Sequence, residues 1–223
     1  MNFIEMPSPN FDDRRTPISM IVLHYTGMQS AQAALDWLAN PASKVSAHYV
    51  VAEDGQLVRM VAEDKRAWHA GRSEWRGMMD INSASIGIEI VNPGHEFGYR
   101  PFPEAQMAAV EALVGDIAQR HAILRAMIVG HSDVAPARKT DPGELFDWPR
   151  LARAGLATPV PVGGFDPNWY DIGFVAALKR WGYDTDDAHA AVVAFQRRFR
   201  PAKIDGVIDA ECRTLLRGIL VAG

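Results

Sequence analysis

VGHSDVAPARKTDPG, residues 129–143, is the stretch around which the chain is organised. A short apolar run, Ala126 to Val129, reads as a strand that delivers His131 to its end. Pro136 and Pro142 then bracket a loop instead of a continuing helix. A histidine at a strand end, followed ten residues later by Asp141 between Thr140 and Pro142, can bring one imidazole nitrogen and one carboxylate oxygen to the same cation. Lys139 adds a positive charge at the same place. By itself this spacing more often marks solvent-facing turn residues, so a partner elsewhere in the chain has to decide it.

That partner is His24. Residues 18–26, ISMIVLHYT, are β-branched and apolar and close on Gly27, which predicts a strand. At a period of two, Met20, Val22 and His24 share one face. Taken alone, a histidine there also fits a hydrogen-bonded core residue. Residues 85–92, SIGIEIVN, predict a second strand with Ile86, Ile88 and Ile90 on one face and Gly87, Glu89 and Val91 on the other. A carboxylate in such a run is costly to bury unless a cation or donor meets it, and an edge strand with Glu89 in water is the open alternative. Ala67-Trp68-His69-Ala70-Gly71 predicts a loop whose indole offers a face to a sugar ring and whose imidazole offers a donor to a carbonyl. Trp68 equally fits a core anchor for that loop.

His24 in LHYT, Trp68-His69 in AWHAG, Glu89 in SIGIEIVNPG, His131 in GHSD and Asp141 in KTDPG occur in one order. This set resembles the zinc-dependent N-acetylmuramoyl-L-alanine amidases, whose fold is shared by phage amidase-lysozymes and peptidoglycan recognition proteins, and within them the bacterial AmiD/AmpD branch. The resemblance runs from about Ile18 to Trp148. It implies one Zn2+ per chain on His24, His131 and Asp141, with the third ligand an Asp where phage and animal members carry Cys. It implies Glu89 and Lys139 as catalytic residues, Glu89 moving protons and Lys139 helping to stabilise the oxyanion. Trp68, His69, His48 and Asn92 are the expected substrate contacts. A tyrosine that assists catalysis in some branches falls at Ala47 here. Three ligands and an open fourth position suit hydrolysis, because zinc lowers the pKa of a bound water toward about 7. The expected substrate is peptidoglycan or a muropeptide, cut between N-acetylmuramic acid and L-alanine. A recognition protein that holds peptidoglycan without cutting it is the alternative, and all three ligand types being present favours catalysis.

The 223 residues, 48% hydrophobic and 22% charged, have the make-up of a globular protein large enough for one medium and one small domain. A net charge of -4 gives no general attraction to nucleic acid. Cys212 is the single cysteine, which rules out an intrachain disulfide and a cysteine-rich metal site. No run is long enough to span a membrane, and the first fifteen residues lack the apolar stretch of a secretory signal. The expected location is therefore cytoplasmic, or periplasmic if a signal has been removed. Oligomeric state is not legible.

The expected fold class is α/β (α+β), a central mixed β-sheet flanked by helices, plus a small C-terminal three-helix domain. Helices are predicted over 30–40 and 104–121, and a hairpin over 45–61 turning at Asp54-Gly55. Residues 2–15 read as an extended lead-in. The Pro/Gly-rich segment TPVPVGG marks a linker, giving a catalytic domain at 1–157, a linker at 158–168 and a helical domain at 169–223. Phe195-Gln196 and Asp205-Gly206 give that helical domain a resemblance to the peptidoglycan-binding module of cell-wall hydrolases. On this division, removing residues after Pro159 should weaken binding to intact sacculi more than hydrolysis of small muropeptides.

Overall fold

The structure is a computed structural model that describes residues 1–222. Two short strands open the chain, β1 (Phe3–Glu5) and β2 (Phe11–Asp13). They are followed by β3 (Met20–Tyr25), α1 (Ala31–Ala39), β4 (Tyr49–Val51), β5 (Leu57–Arg59) and β6 (Lys65–Ala67). Next come α2 (Ile81–Ala84), β7 (Ser85–Ile90), α3 (Gly94–Phe97), α4 (Glu104–Arg120), β8 (Ile128–Gly130), α5 (His131–Val134) and α6 (Trp148–Arg153). Three further helices, α7 (Asp171–Trp181), α8 (Ala188–Phe199) and α9 (Ala210–Ala222), end the described residues. No helix among them is long and apolar enough to cross a membrane.

The main sheet has the order β1-β5-β4-β7-β3-β8 and is mixed, with β4 antiparallel to β5 and the other pairs parallel. β3 lies between β7 and β8, so both of its edges are paired, and helices pack on both of its faces, as its unbroken apolar run requires. Its alternation divides the core. Ile21 and Leu23 join Ile86, Ile88, Ile90 and the buried face of α4, including Val110, Leu113 and Ile117. Met20 and Val22 point the other way, into a cluster completed by Phe174, Leu178, Phe195 and Leu216 of the last three helices. The C-terminal helices therefore cover the β3 and β8 part of one sheet face, while Val50 and Val58 on that same face pack against Leu38 of α1. The linker reading does not anticipate this shared core.

Local chemistry accounts for the element ends. Ser30 caps α1 by accepting from the Ala33 amide at 3.1 Å, and Asp147 caps α6 by accepting from Arg150 at 2.9 Å with Pro149 in the first turn. The predicted lead-in is more ordered than expected: β1 pairs with β5, and β2 forms a separate two-stranded sheet with β6. β7 is an interior strand between β4 and β3, which excludes the edge-strand reading of Glu89.

Candidate active site

Register brings the predicted groups together. His24 lies opposite Glu89 across β3 and β7, and Leu23 opposite Gly130 across β3 and β8, so the carboxyl ends of three parallel strands meet at one edge. Open parallel sheets place their sites there. His131 begins α5 just past β8, and the loop after it returns Asp141, whose carbonyl accepts from the Ser132 amide at 2.8 Å. The His24 and His131 Nδ1 atoms are 2.9 Å apart. Asp141 Oδ2 lies 3.1 Å from the first and 3.0 Å from the second. All three side chains are buried.

The hydrogen bonds around this triangle fix the tautomers. Ser85 Oγ donates its only proton to the Ile81 carbonyl at 2.6 Å, so it must accept from His69 Nε2–H at 3.1 Å. His69 Nδ1 then carries a lone pair and accepts from His24 Nε2–H at 3.0 Å. His131 Nε2–H donates to the Ala70 carbonyl at 3.1 Å. Neutral rings in these tautomers leave both Nδ1 atoms as lone pairs aimed at the carboxylate oxygen. Three acceptors with no proton between them repel unless a cation sits among them. Their separations are close to the edge of about 3.3 Å of a tetrahedron with 2.0–2.1 Å bonds, so the donor set fits zinc.

The electrostatics agree. Burial and the neighbouring His131 lower His24 to about 4, against the opposing pull of Asp141, so its ring is neutral at pH 7. Burial raises Asp141, and the pull toward its histidine neighbours that outweighs it requires positive charge on the Nδ1 side of the site; with both rings neutral, a bound cation is what supplies that charge. Glu89 goes the other way: burial, then the negative charge of Asp141, push it well above its usual value, with Lys139 opposing. Its Oε2 is sealed from solvent and has no hydrogen-bond partner.

A pocket of about 380 Å³ opens over this centre, with His24, Glu89, His131, Lys139 and Asp141 in its lining. Trp68 contributes to the wall and is partly exposed, and Trp37 and Val45 extend the apolar side. Three expected substrate contacts need correction. His69 has both ring nitrogens occupied by His24 and Ser85, so it orients the His24 ring and has no donor left for a carbonyl. His48 is fully buried off the pocket wall, with Nδ1 accepting from the Gly87 amide at 2.9 Å. Asn92 is also buried, donating to the Arg100 carbonyl at 2.7 Å and accepting from the Gly94 amide at 3.0 Å, and shapes the loop after β7. Tyr25 was missed. Its hydroxyl lies 3.0 Å from Thr140 Oγ1 at the pocket wall, although strand alternation points its side chain away from the His24 face. Ser85 was missed too, because its role depends on a chain of three hydrogen bonds.

The profile of the N-acetylmuramoyl-L-alanine amidase family matches residues 14–144, which contain every residue of this centre. The chain belongs to that family. The amidase AmiD of Escherichia coli K12 is 32% identical over 91% of this chain and 82% of its own length. The 1,6-anhydro-N-acetylmuramyl-L-alanine amidase AmpD of Salmonella typhimurium SL1344 is 37% identical over 66% of this chain and 86% of its own. Among solved structures, Escherichia coli AmiD in complex with anhydro-N-acetylmuramic acid-L-Ala-D-gamma-Glu-L-Lys superposes with a TM-score of 0.83 at 31% identity, covering 95% of this chain and 92% of that one. AmpDh3 of Pseudomonas aeruginosa gives 0.78 at 31% identity, covering 92% of each chain. The AmiD likeness extends over nearly all of this amidase, C-terminal helices included.

Proposed function

We propose that this chain is a zinc-dependent N-acetylmuramoyl-L-alanine amidase that hydrolyses the amide between N-acetylmuramic acid and L-alanine in peptidoglycan or muropeptides. The observation that carries the metal is the convergence of His24 Nδ1, His131 Nδ1 and Asp141 Oδ2 as unprotonated acceptors about 3 Å apart. Zinc held there supplies Lewis-acid polarisation of the scissile carbonyl and lowers the pKa of water toward about 7.

The remaining steps belong to the protein's own residues. Glu89 takes the proton of the attacking water and returns one to the departing alanine nitrogen, the usual exchange for a positioned carboxylate. Its environment favours the protonated form, so the cationic charge in the pocket, Lys139 included, is needed to bring it back to a base. Lys139 stabilises the developing oxyanion, a role typically worth about 3 kcal/mol for one well-placed donor. Trp68 gives the sugar a flat apolar face. In the C-terminal unit, set off by residues 158–168 and a candidate wall-binding part, the Phe195-Gln196 and Asp205-Gly206 pairs serve the fold. The Gln196 Oε1 accepts from the Asp205 and Gly206 amides at 2.9 and 2.7 Å, and its Nε2 donates to the Val207 carbonyl at 3.0 Å.

Mass spectrometry of soluble muropeptides and of sacculi after incubation, with and without a chelator, tests the reading. Free stem peptide should appear, vanish on chelation and return with zinc. His24→Ala and Asp141→Ala should lose zinc and activity together. Glu89→Ala should keep zinc and lose at least about 100-fold in turnover. Full activity in the Glu89 variant would remove it from the mechanism.

A further inference from the structure

Asp133, two residues beyond His131, is 2% exposed, and its carboxylate is fully engaged. Oδ2 accepts from the Gly130 amide at 2.8 Å and from Arg198 Nη1 at 3.2 Å, and Oδ1 accepts from the Tyr183 hydroxyl at 2.7 Å. Gly130 and Asp133 bracket His131. Arg198 lies in α8 and Tyr183 just after α7, so the two side-chain donors come from the C-terminal unit. The Arg198 guanidinium is itself held, 3.1 Å from the centre of the Trp148 ring and donating from Nη2 to the Ile128 carbonyl at 3.2 Å. Tyr183 packs edge-on against Trp75 at 5.2 Å.

We propose that Arg198 and Tyr183 are positioning residues for the metal centre and that the C-terminal helical unit clamps the turn carrying His131 through Asp133. This rests on the zinc reading above. The turn from Gly130 to Asp133 is tied on one side to the Asp141 loop through the Ser132 amide and on the other to the clamp. A buried carboxylate that loses its cation is left uncompensated and must move toward water or another donor. Movement of Asp133 releases the Gly130 amide and shifts both His131 and the Asp141 loop bound to it. Partners behind metal ligands act on affinity in this way, typically by about 10–100-fold.

The test measures zinc affinity of the metal-stripped full chain by competition with a chromogenic chelator, alongside thermal melting. Arg198→Met should weaken zinc binding by about 10–100-fold. Arg198→Lys should recover part of that loss, and Tyr183→Phe should weaken binding by less than Arg198→Met. Arg76→Ala loosens the same inter-unit contact away from Asp133, at the Trp181 carbonyl and ring. It should lower the melting temperature and leave zinc affinity within about twofold. Unchanged affinity in folded Arg198→Met, or an equal loss in Arg76→Ala, overturns the proposal. If Arg198→Met does not fold, Tyr183→Phe decides, since it removes one hydroxyl only. A wild-type chain that binds no zinc overturns the cofactor reading and this one with it, whereas tight wild-type binding with unaffected variants removes the clamp alone.

Discussion

A β-carbon at Gly87 would collide with the His69 ring, and that close approach explains a glycine of ordinary backbone conformation inside a buried strand. The ring it admits holds His24 Nε2–H and so leaves Nδ1 free to face the candidate metal position. Gly87→Ala is therefore expected to push the imidazole aside and weaken zinc by at least about 10-fold, with melting changed much less than affinity. His69→Ala should do the same by leaving the His24 proton without its acceptor. Chelator competition reads both, and an alanine at either position that binds zinc like the wild type would break the tautomer chain. That His24, His131, Asp141, Glu89 and Lys139 converge on one pocket was legible in the sequence because they lie within short motifs. The roles of His69 and Ser85 were not, since a side chain's remaining hydrogen-bond capacity depends on every neighbour it meets.

Between elements, Glu63 links the segment after β5 to the end of α4. It accepts from Arg120 at 2.6 and 2.8 Å, from the Tyr49 hydroxyl at 2.7 Å, and lies 2.6 Å from His121 Nε2. Burial raises its pKa, but those partners prevail and hold it at about 2, below the ordinary 4.5. A depressed carboxylate stabilises the fold above its unfolded value and stops doing so as pH falls through the folded one. The contribution is thus complete above about pH 4.5, declines below that and is gone near pH 2, on the order of 2–3 kcal/mol in all once solvent screening of this partly exposed group reduces the full shift. Glu63→Gln should lower stability to urea at pH 7 by that order, and the gap to wild type should narrow as pH drops from 5 to 3. A gap independent of pH would mean that the carboxylate's charge is not what matters. His121, read from the sequence as a helix-end residue, has this carboxylate as its partner, one that lies 58 positions away.

Across the whole molecule, the apolar cluster that contains Met20, Val22 and Val129 is shared with Phe174, Phe195 and Leu216. Cutting after Pro159 uncovers that face and leaves Asp133 without Tyr183 and Arg198. The expectation of a selective loss on sacculi accordingly changes. Residues 1–159 should melt at least about 10 °C below the full chain, or lose a cooperative transition, and hydrolysis of soluble muropeptides should fall together with that of sacculi. Differential scanning calorimetry with paired assays on the two substrates checks it. A truncated chain with full muropeptide activity would return the C-terminal helices to the role of a detachable module.

The main strands β3 and β7, the helices α1 and α4 and the residues of the candidate metal centre were determined by the sequence itself. They rest on apolar periodicity, caps and short motifs, which act over a few residues and survive being read in one dimension. Even the grouping of His24 with a distant His131 and Asp141 was legible, because the order of their motifs resembles that of an amidase family. Tertiary structure alone decided that β7 is interior, that His48 and Asn92 support the pocket from behind while His69 is held in its wall by His24 and Ser85, and that three helices beyond a Pro/Gly-rich linker pack onto the sheet. Each depends on strand order, register or a buried side chain's full set of partners. Those are fixed by the packing of segments far apart in the chain, where burial makes every unpaired polar group costly.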